Sequence, residues 1–472
     1  MPSPYRQLDR EALREDLART AFALDESRGD ACSLALEVIA VRRRPRGLPP
    51  ERVSLFPRPG EGAGLYELLE RFARQHDLRL RGLRAVDLED ALEPEPGGLA
   101  LGHGGQVLCA SRLRETPAAA FAECSGALDL LREHLALHKI ELISVGLDPW
   151  TPPGGVELQD PSASARCLEA ALEGPDATAE RLLRSAAGAP VRIAFGGPNK
   201  AALRWRAAQL AAPVAAACFA HAPLEAGQHL GFKSVRGVLR RLADPSLAAV
   251  PPGFEADPSG DPVDLYLELA LCARVRWVRY ANRWVPQRAP VSFEQWMEHG
   301  LGGAWPDLDD WRHHVKGLAA EVRPCGALEI GGADAQPRAF ASVPLVFWSA
   351  LLCDDVALSG SLDRLEPRAN ALHERWGAAA RGGLLDPDLA GDARELFALA
   401  AGALLRLPPG WISREMATAF VAFAQRFALR GRTPADELLE DFLERGSLAV
   451  DAVVVPGREE PAAAASGAGR SG

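Results

Sequence analysis

Residues 31–41 read Ala-Cys-Ser-Leu-Ala-Leu-Glu-Val-Ile-Ala-Val, an apolar run with β-branched residues and a single carboxylate, Glu37. A run of this length and composition predicts a buried β-strand. Charged side chains are seldom fully buried without a partner. Glu37 is therefore either an inward-facing charge or a residue that points to solvent from a half-exposed strand, and the sequence leaves both readings open.

Strands and helices of irregular length continue from this strand to residue 445. Further strands are predicted at 99–109 (a hairpin), 141–146, 191–195, 274–280 and 328–330. Helices are predicted at 8–25, 62–76, 116–138, 163–186, 199–219, 231–242, 263–273, 342–356, 365–377, 391–406, 413–428 and 434–445. No change of composition or long linker divides the chain, so we predict one α+β domain over residues 1–456 with an α-helical C-terminal third. Residues 457–472 are rich in Ala, Gly and Ser, which predicts a disordered tail.

Composition excludes several classes of function. The 472 residues carry 63 acidic and 53 basic side chains, a net charge of −10. An acidic balance with no basic, aromatic-rich patch argues against nucleic acid as the main partner. No apolar run reaches the roughly 18 residues of a membrane-spanning helix, and the N-terminus lacks the pattern of a secretory signal. We therefore expect a cytoplasmic protein with no membrane partner.

Common cofactor and metal motifs are missing from the sequence. The eight cysteines contain no C-x-x-C pair, and His313-His314 occupy adjacent positions that cannot share one helix face. Neither a G-x-x-x-x-G-K-[ST] loop nor a strand-linked G-x-G-x-x-G occurs. Structural zinc and a doubly wound nucleotide fold are thus not indicated.

Ordered segments between residues 145 and 334 carry a family resemblance. They are Val-Gly-Leu-Asp-Pro-Trp (145–150), Arg-Trp-Arg (204–206), Phe-Ala-His-Ala-Pro-Leu-Glu-Ala-Gly (219–227), Gly-Phe-Lys-Ser-Val-Arg (231–236), Ala-Asp-Pro (243–245), Glu-Val-Arg-Pro (321–324) and Leu-Glu-Ile-Gly-Gly-Ala-Asp (328–334). In order and spacing the chain resembles the plant-type glutamate–cysteine ligase family, particularly its actinobacterial branch in glutathione and ergothioneine biosynthesis.

The resemblance implies a glutamine-synthetase-like fold, in which a curved antiparallel sheet flanked by helices forms a funnel. It also implies ATP and Mg²⁺ as cofactors, held by carboxylates on the inner face of the sheet. Family members form a γ-glutamyl phosphate from glutamate, which the amine of cysteine then attacks. The small-molecule partners expected from the resemblance are glutamate and cysteine or another amine.

Residue by residue, the resemblance implies a site that is only partly present. Glu37 and Glu329 stand at metal-ligand positions, Gln106 and Arg236 at cofactor-binding positions, and Arg236 and Arg323 at catalytic positions. Asp334 is also retained.

Several acids of the family pattern are replaced. Ala35 stands where the family has a second glutamate in the first strand. The turn that reads Glu-Pro-Gly-Gly-Gln-x-Glu in the family reads Gly-His-Gly-Gly-Gln-Val-Leu here (102–108). The family's strand Gln-Val-Asn-x-Asp lines up with Pro-Val-Arg-Ile-Ala (190–194).

Two functions therefore remain open at the level of sequence. One is an ATP-dependent carboxylate–amine ligase that uses Glu37 and Glu329 for Mg²⁺ and Arg236 and Arg323 for anionic groups. The other is a catalytically decayed pseudoenzyme that binds a metabolite or regulates a partner. Under the second reading, neighbouring arginines satisfy the glutamates, since ion pairs of purely structural role are common. Loss of several preorganised charges, each worth roughly 10²–10³ in rate, would leave negligible ligase activity.

Overall fold

The structure, a computed structural model, describes residues 8–45, 48–57, 63–81, 98–159, 163–171, 177–243, 250–280, 283–318 and 320–453. These residues form an antiparallel sheet flanked by helices, with a helical C-terminal third, which confirms the predicted α+β class. The tail predicted after residue 456 lies outside the described residues.

The main sheet is built around the strand predicted at 31–41. Its strands are β1 (Cys32–Arg42), β2 (Glu51–Arg52), β3 (Leu80–Arg81), β4 (Gly98–Leu101), β5 (Val107–Ala110), β6 (Glu141–Ile143), β7 (Val191–Ile193), β12 (Val322–Pro324) and β13 (Leu328–Ile330). Their order is β12-β13-β7-β1-β5-β4-β3, while β2 and β6 pair with the end of β1. All pairs are antiparallel except β3–β4. Two short antiparallel ribbons lie apart, β8 (Leu224–Glu225) with β9 (Gln228–His229) and β10 (Trp277–Tyr280) with β11 (Arg283–Pro286).

Most of the helices follow the sequence prediction, but Phe293–His299, Leu308–Gly317 and Asp355–Leu365 have no predicted counterpart. They are α1 (Arg10–Thr20), α2 (Leu65–Gln75), α3 (Pro117–Ala136), α4 (Ala163–Ala171), α5 (Thr178–Ser185), α6 (Pro198–Cys218), α7 (Val235–Ala243), α8 (Pro262–Cys272), α9 (Phe293–His299), α10 (Leu308–Gly317), α11 (Val343–Cys353), α12 (Asp355–Leu365), α13 (Leu372–Gly382), α14 (Pro387–Leu404), α15 (Arg414–Arg426) and α16 (Pro434–Arg445). The single helix predicted over 163–186 is wrong, because α4 and α5 are separate helices. Ala177, directly before α5, has a φ of 51°, a left-handed conformation that does not continue a right-handed helix.

Alternation along β1 gives the sheet two different faces. Leu34, Leu36 and Val38 are buried on the face that packs against α3 and the C-terminal helices. Ala35 and Glu37 alternate with them and lie on the other face. That second face holds the candidate site.

Aromatic side chains fill the core behind the sheet. Phe347 on α11 lies 5.7 Å from Phe219 and 5.1 Å from Phe397, measured between ring centroids. All three rings are at most 2% exposed. Edge and offset ring contacts of this kind add to the free energy of apolar burial. The helical C-terminal third is thereby fixed to the sheet.

Among the described residues, no single helix is long and apolar enough to cross a membrane. One pair of helical segments, Arg338–Cys353 with Asp355–Leu385, passes the length and composition test together but is bent by 92°. Its first helix, α11, is buried along its whole length in the core.

Candidate functional site

A row of charged side chains crosses the inner face of the sheet. Strand register places Arg192 directly opposite Glu329, and Glu329 directly opposite Arg323. The Glu329 carboxylate is bound on both sides, at 2.6 Å from Arg192 Nη2 and 2.5 Å from Arg323 Nη2. Burial alone would raise the pKa of Glu329, but Arg323 and Arg192 outweigh it and lower the pKa to about 2. Both oxygens of this predicted metal ligand are thus engaged by guanidinium groups.

Glu37 has a different environment on the same face. Its Oε2 accepts a hydrogen bond of 2.6 Å from the Gly188 amide. Burial raises the pKa of Glu37, and the charges of Arg236 and Arg240 only partly oppose this effect. The side chain lines a cavity, so of the two readings left open by the sequence the inward-facing one is confirmed.

Gln106 connects the β4–β5 turn to α5. Its Nε2 donates to the carbonyls of Leu183 (3.0 Å) and Ala186 (2.9 Å), and its Oε1 accepts from the Gly104 amide at 2.9 Å. The turn is packed so closely that a Cβ on Gly102 would lie 2.5 Å from the same Oε1. Gln106, the side chain predicted to bind a cofactor, therefore anchors this turn.

Arg236 is held by Asp334 and by backbone carbonyls. Its Nη1 lies 3.3 Å from Asp334 Oδ1, and its Nη2 donates to the Gly331 carbonyl at 2.9 Å. Asp334 also accepts from the His221 amide (2.7 Å) and the Ser234 hydroxyl (3.1 Å). Since both charged groups are almost fully buried, the pair fixes the segment after β13 against α7.

The predicted residues meet around one large cavity of about 500 Å³. Glu37, Gln106, Arg236 and Arg323 all line it, whereas Glu329 and Asp334 act from behind through their arginines. Leu108, which faces Glu37 across the β1–β5 pair, also lines the cavity without closing it.

Positive charge predominates in the lining of this cavity, which we call the basic cavity. The charged lining residues are Arg236, Arg240, Arg241, Arg276, Lys316 and Arg323 against Glu37 and Glu321. Glu321 is itself paired with Arg240 at 2.7 Å. Among the described residues, Glu37 is thus the one lining carboxylate that a bound metal ion could contact without displacing an arginine.

Sequence reasoning missed four of these cations, namely Arg240, Arg241, Arg276 and Lys316. Arg240 and Arg241 follow the Gly-Phe-Lys-Ser-Val-Arg segment on α7, and the others come from distant parts of the chain. Arg241 stands out because its contacts are two weak ones of 3.4 Å, to the ring and the carbonyl of His373. Burial lowers the pKa of Arg241, and Glu321 only partly opposes this effect.

The donor set does not suit the Mg²⁺ ions that the resemblance implies. Mg²⁺ prefers carboxylate and other oxygen ligands in near-octahedral geometry. The described residues contain no group of three or more acidic, His or Cys side chains that could hold a metal ion. On the inner face, guanidinium groups stand beside Glu329 in place of further carboxylates.

Fold and site together define an α+β protein with a cavity, lined mainly by basic charged side chains, on one face of an antiparallel sheet. The chain belongs to glutamate–cysteine ligase family 2 (GCS2), whose sequence model matches residues 85–454. The resemblance inferred from the sequence is therefore confirmed.

Two relatives show the level of similarity. Glutamate–cysteine ligase EgtA of Mycolicibacterium smegmatis is 28% identical over 359 residues, which cover 75% of this chain and 80% of that protein. The chloroplastic glutamate–cysteine ligase of Nicotiana tabacum is 27% identical over 278 residues, covering 56% of this chain and 50% of its own length.

Solved structures are more distant. The ligase PafA, in its complex with the prokaryotic ubiquitin-like protein Pup, has a TM-score of 0.39 and 11% identity over 90% of this chain and 71% of its own. A glutamine synthase homologue has a TM-score of 0.24 and 14% identity, covering 90% of this chain and 76% of its own. Scores this low add nothing to the family assignment.

Proposed function

We propose that this chain is a ligase-family protein that binds a small organic anion in the basic cavity without Mg²⁺ and does not carry out ATP-dependent ligation. One observation carries the proposal: Glu329, at a metal-ligand position, is clamped between Arg192 and Arg323. A divalent cation there would meet two fixed positive charges before it met a free carboxylate. An anion, by contrast, would be attracted by these two positive charges.

The lining also supports an organic ligand. Trp277 and Trp376 are partly exposed beside several leucines, so an apolar body can be covered while charged groups fix its orientation. Arg241 is the strongest candidate for the anion anchor. A guanidinium offers paired N–H donors to a carboxylate or phosphate, and Arg241 has no carboxylate at salt-bridge distance among the described residues.

Calorimetric titration tests this proposal with glutamate, γ-glutamylcysteine, glutathione and ATP as probes, each in EDTA and in Mg²⁺. We expect at least one probe to bind equally well in both buffers. Arg241→Gln should weaken that binding about tenfold or more, since a hydrogen bond to a charged group is worth about 1.5–3 kcal/mol.

Arg381→Gln is a matched control, because Arg381 is an exposed helical arginine outside the cavity lining. Binding that requires Mg²⁺ would overturn the proposal that the anion binds without this ion. Binding that Arg241→Gln leaves unchanged, while a substitution elsewhere in the lining abolishes it, would overturn the role of Arg241 as the anchor.

Ligation is the second candidate, and family membership is the observation that favours it. In that case ATP, glutamate and cysteine or another amine would be the substrates, and Glu37, Arg236 and Arg323 would line the site. Release of ADP that depends on both glutamate and an amine would establish this alternative.

A further inference from the structure

A second cavity lies on the opposite face of the sheet. Its volume is about 250 Å³, and it is bounded by β1, α3, α15 and the segment before α11. Leu36 and Val38 form its floor, because alternation along β1 turns them away from Glu37. Phe121, Leu128 and Met416 complete its apolar walls. We call it the outer cavity.

One buried polar side chain that lines the outer cavity, Gln336, has unused hydrogen-bonding capacity. Gln336 is 1% exposed, and its Nε2 donates to the carbonyls of Phe219 (2.7 Å) and Asp334 (2.9 Å). Its Oε1 has no hydrogen-bond partner among the described residues. An unmade hydrogen bond of a buried group costs about 1–3 kcal/mol, so a ligand that supplies a donor is favoured here.

Charges of both signs lie at the edge of the same cavity. Arg338 Nη2 is 3.0 Å from Asp129 Oδ2, and Asp129 is also 3.5 Å from Arg132. Glu415, in the first turn of α15, is exposed and forms no salt bridge with a described residue. The edge therefore offers a guanidinium for a carboxylate and a carboxylate for an ammonium group.

We propose that the outer cavity binds a free α-amino acid with an apolar side chain. The ammonium group supplies donors to Glu415 and to Gln336 Oε1, the carboxylate accepts from Arg338, and the side chain packs against Leu36 and Val38. A zwitterion suits an edge with both signs of charge, whereas a purely apolar ligand would leave Gln336 Oε1 without a donor. This site is independent of the proposed function, because it lies on the other face of the sheet.

Titration calorimetry of the full chain with L-leucine, L-methionine and L-valine tests the site. We expect one of them to bind, and its analogues lacking one charge, such as leucinamide or 4-methylpentanoate for leucine, to bind at least about tenfold more weakly. Glu415→Gln should weaken binding to a similar degree. Glu395→Gln, at another exposed helical glutamate, is the matched control and should have no effect.

A filling variant locates the bound amino acid. Ala419 lines the outer cavity on a half-buried face of α15, so Ala419→Leu should block binding while Arg241→Gln leaves it unchanged. Absence of binding by all three amino acids at millimolar concentration would overturn the proposal. Equal affinity for the amino acid and for its analogues that lack one charge would also overturn it. So would binding that Arg241→Gln abolishes and Ala419→Leu does not.

Discussion

The two faces of the main sheet are held by different forces. Behind it, rings and aliphatic side chains pack around Phe347. On the inner face, the row Arg192–Glu329–Arg323 is held by charge, and its arginine Arg323 borders the basic cavity. One face therefore stabilises the fold through apolar burial, while the other holds a set of mutually dependent charges. Substitutions on the two faces should consequently fail in different ways.

The largest effect is expected behind the sheet. Phe347→Ala removes a fully buried ring from the aromatic core, and such truncations cost about 3–5 kcal/mol of the free energy of unfolding. Urea denaturation measures the change. The loss should be nearly independent of pH and salt, since no charge is involved. A strong salt dependence would show that the two faces are not energetically distinct.

Glu329→Gln should come next, with a loss of about 2 kcal/mol. The substitution leaves Arg192 and Arg323 close together without their counter-charge, and the loss is smaller than for a fully buried pair because the three side chains are partly exposed. Urea denaturation without metal is the measurement. If Glu329 instead belonged to a carboxylate cluster awaiting Mg²⁺, the same substitution would relieve repulsion and stabilise the metal-free protein.

The pH dependence of that loss follows from the pKa of Glu329. Its folded-state pKa of about 2 lies below the ordinary value of 4.5, so its contribution is fully present above pH 4.5. The contribution is lost as the pH falls from 4.5 towards 2. The difference in stability between wild type and Glu329→Gln should therefore shrink over that range, as urea titrations at several pH values would show. A constant difference would contradict the ion-pair assignment.

Gln106→Leu should cost about 1–3 kcal/mol, because two hydrogen bonds that join the β4–β5 turn to the end of α5 and one within the turn are lost while their backbone partners remain buried. Hydrogen exchange of the Gly104 amide reports the loosened turn directly. Unchanged exchange there would mean that Gln106 is free for a ligand, as the family resemblance implies.

Glu37→Gln should have the smallest effect and the opposite sign. Burial raises the pKa of Glu37, so ionisation opposes folding at neutral pH, and the amide avoids that cost while still accepting from Gly188. Stability at pH 7 should rise slightly, and the gain should shrink as the pH falls from the raised pKa towards the ordinary value of 4.5. A loss of stability at pH 7 would show that Glu37 has a cationic partner after all.

Much of this fold could be predicted from the sequence, and less of the site. The β1 strand and the helices are encoded locally, by runs of apolar residues and their period. The role of Glu329 depends on register, since Arg192 comes opposite it only when β7 and β13 pair. Arg276 and Lys316 reach the basic cavity through tertiary packing that no local pattern records. Family motifs identified Arg236 and Gln106, but not that neighbouring backbone groups already occupy them.

We propose that the inner face serves an anion without Mg²⁺. Calorimetric titration of the wild-type chain with ATP in EDTA and in Mg²⁺, followed by measurement of ADP release with glutamate and cysteine present, tests this claim. We predict that Mg²⁺ does not strengthen ATP binding and that no ADP is released. Binding of ATP that requires Mg²⁺ and is lost in Glu329→Gln, together with amine-dependent ADP release, would contradict the claim.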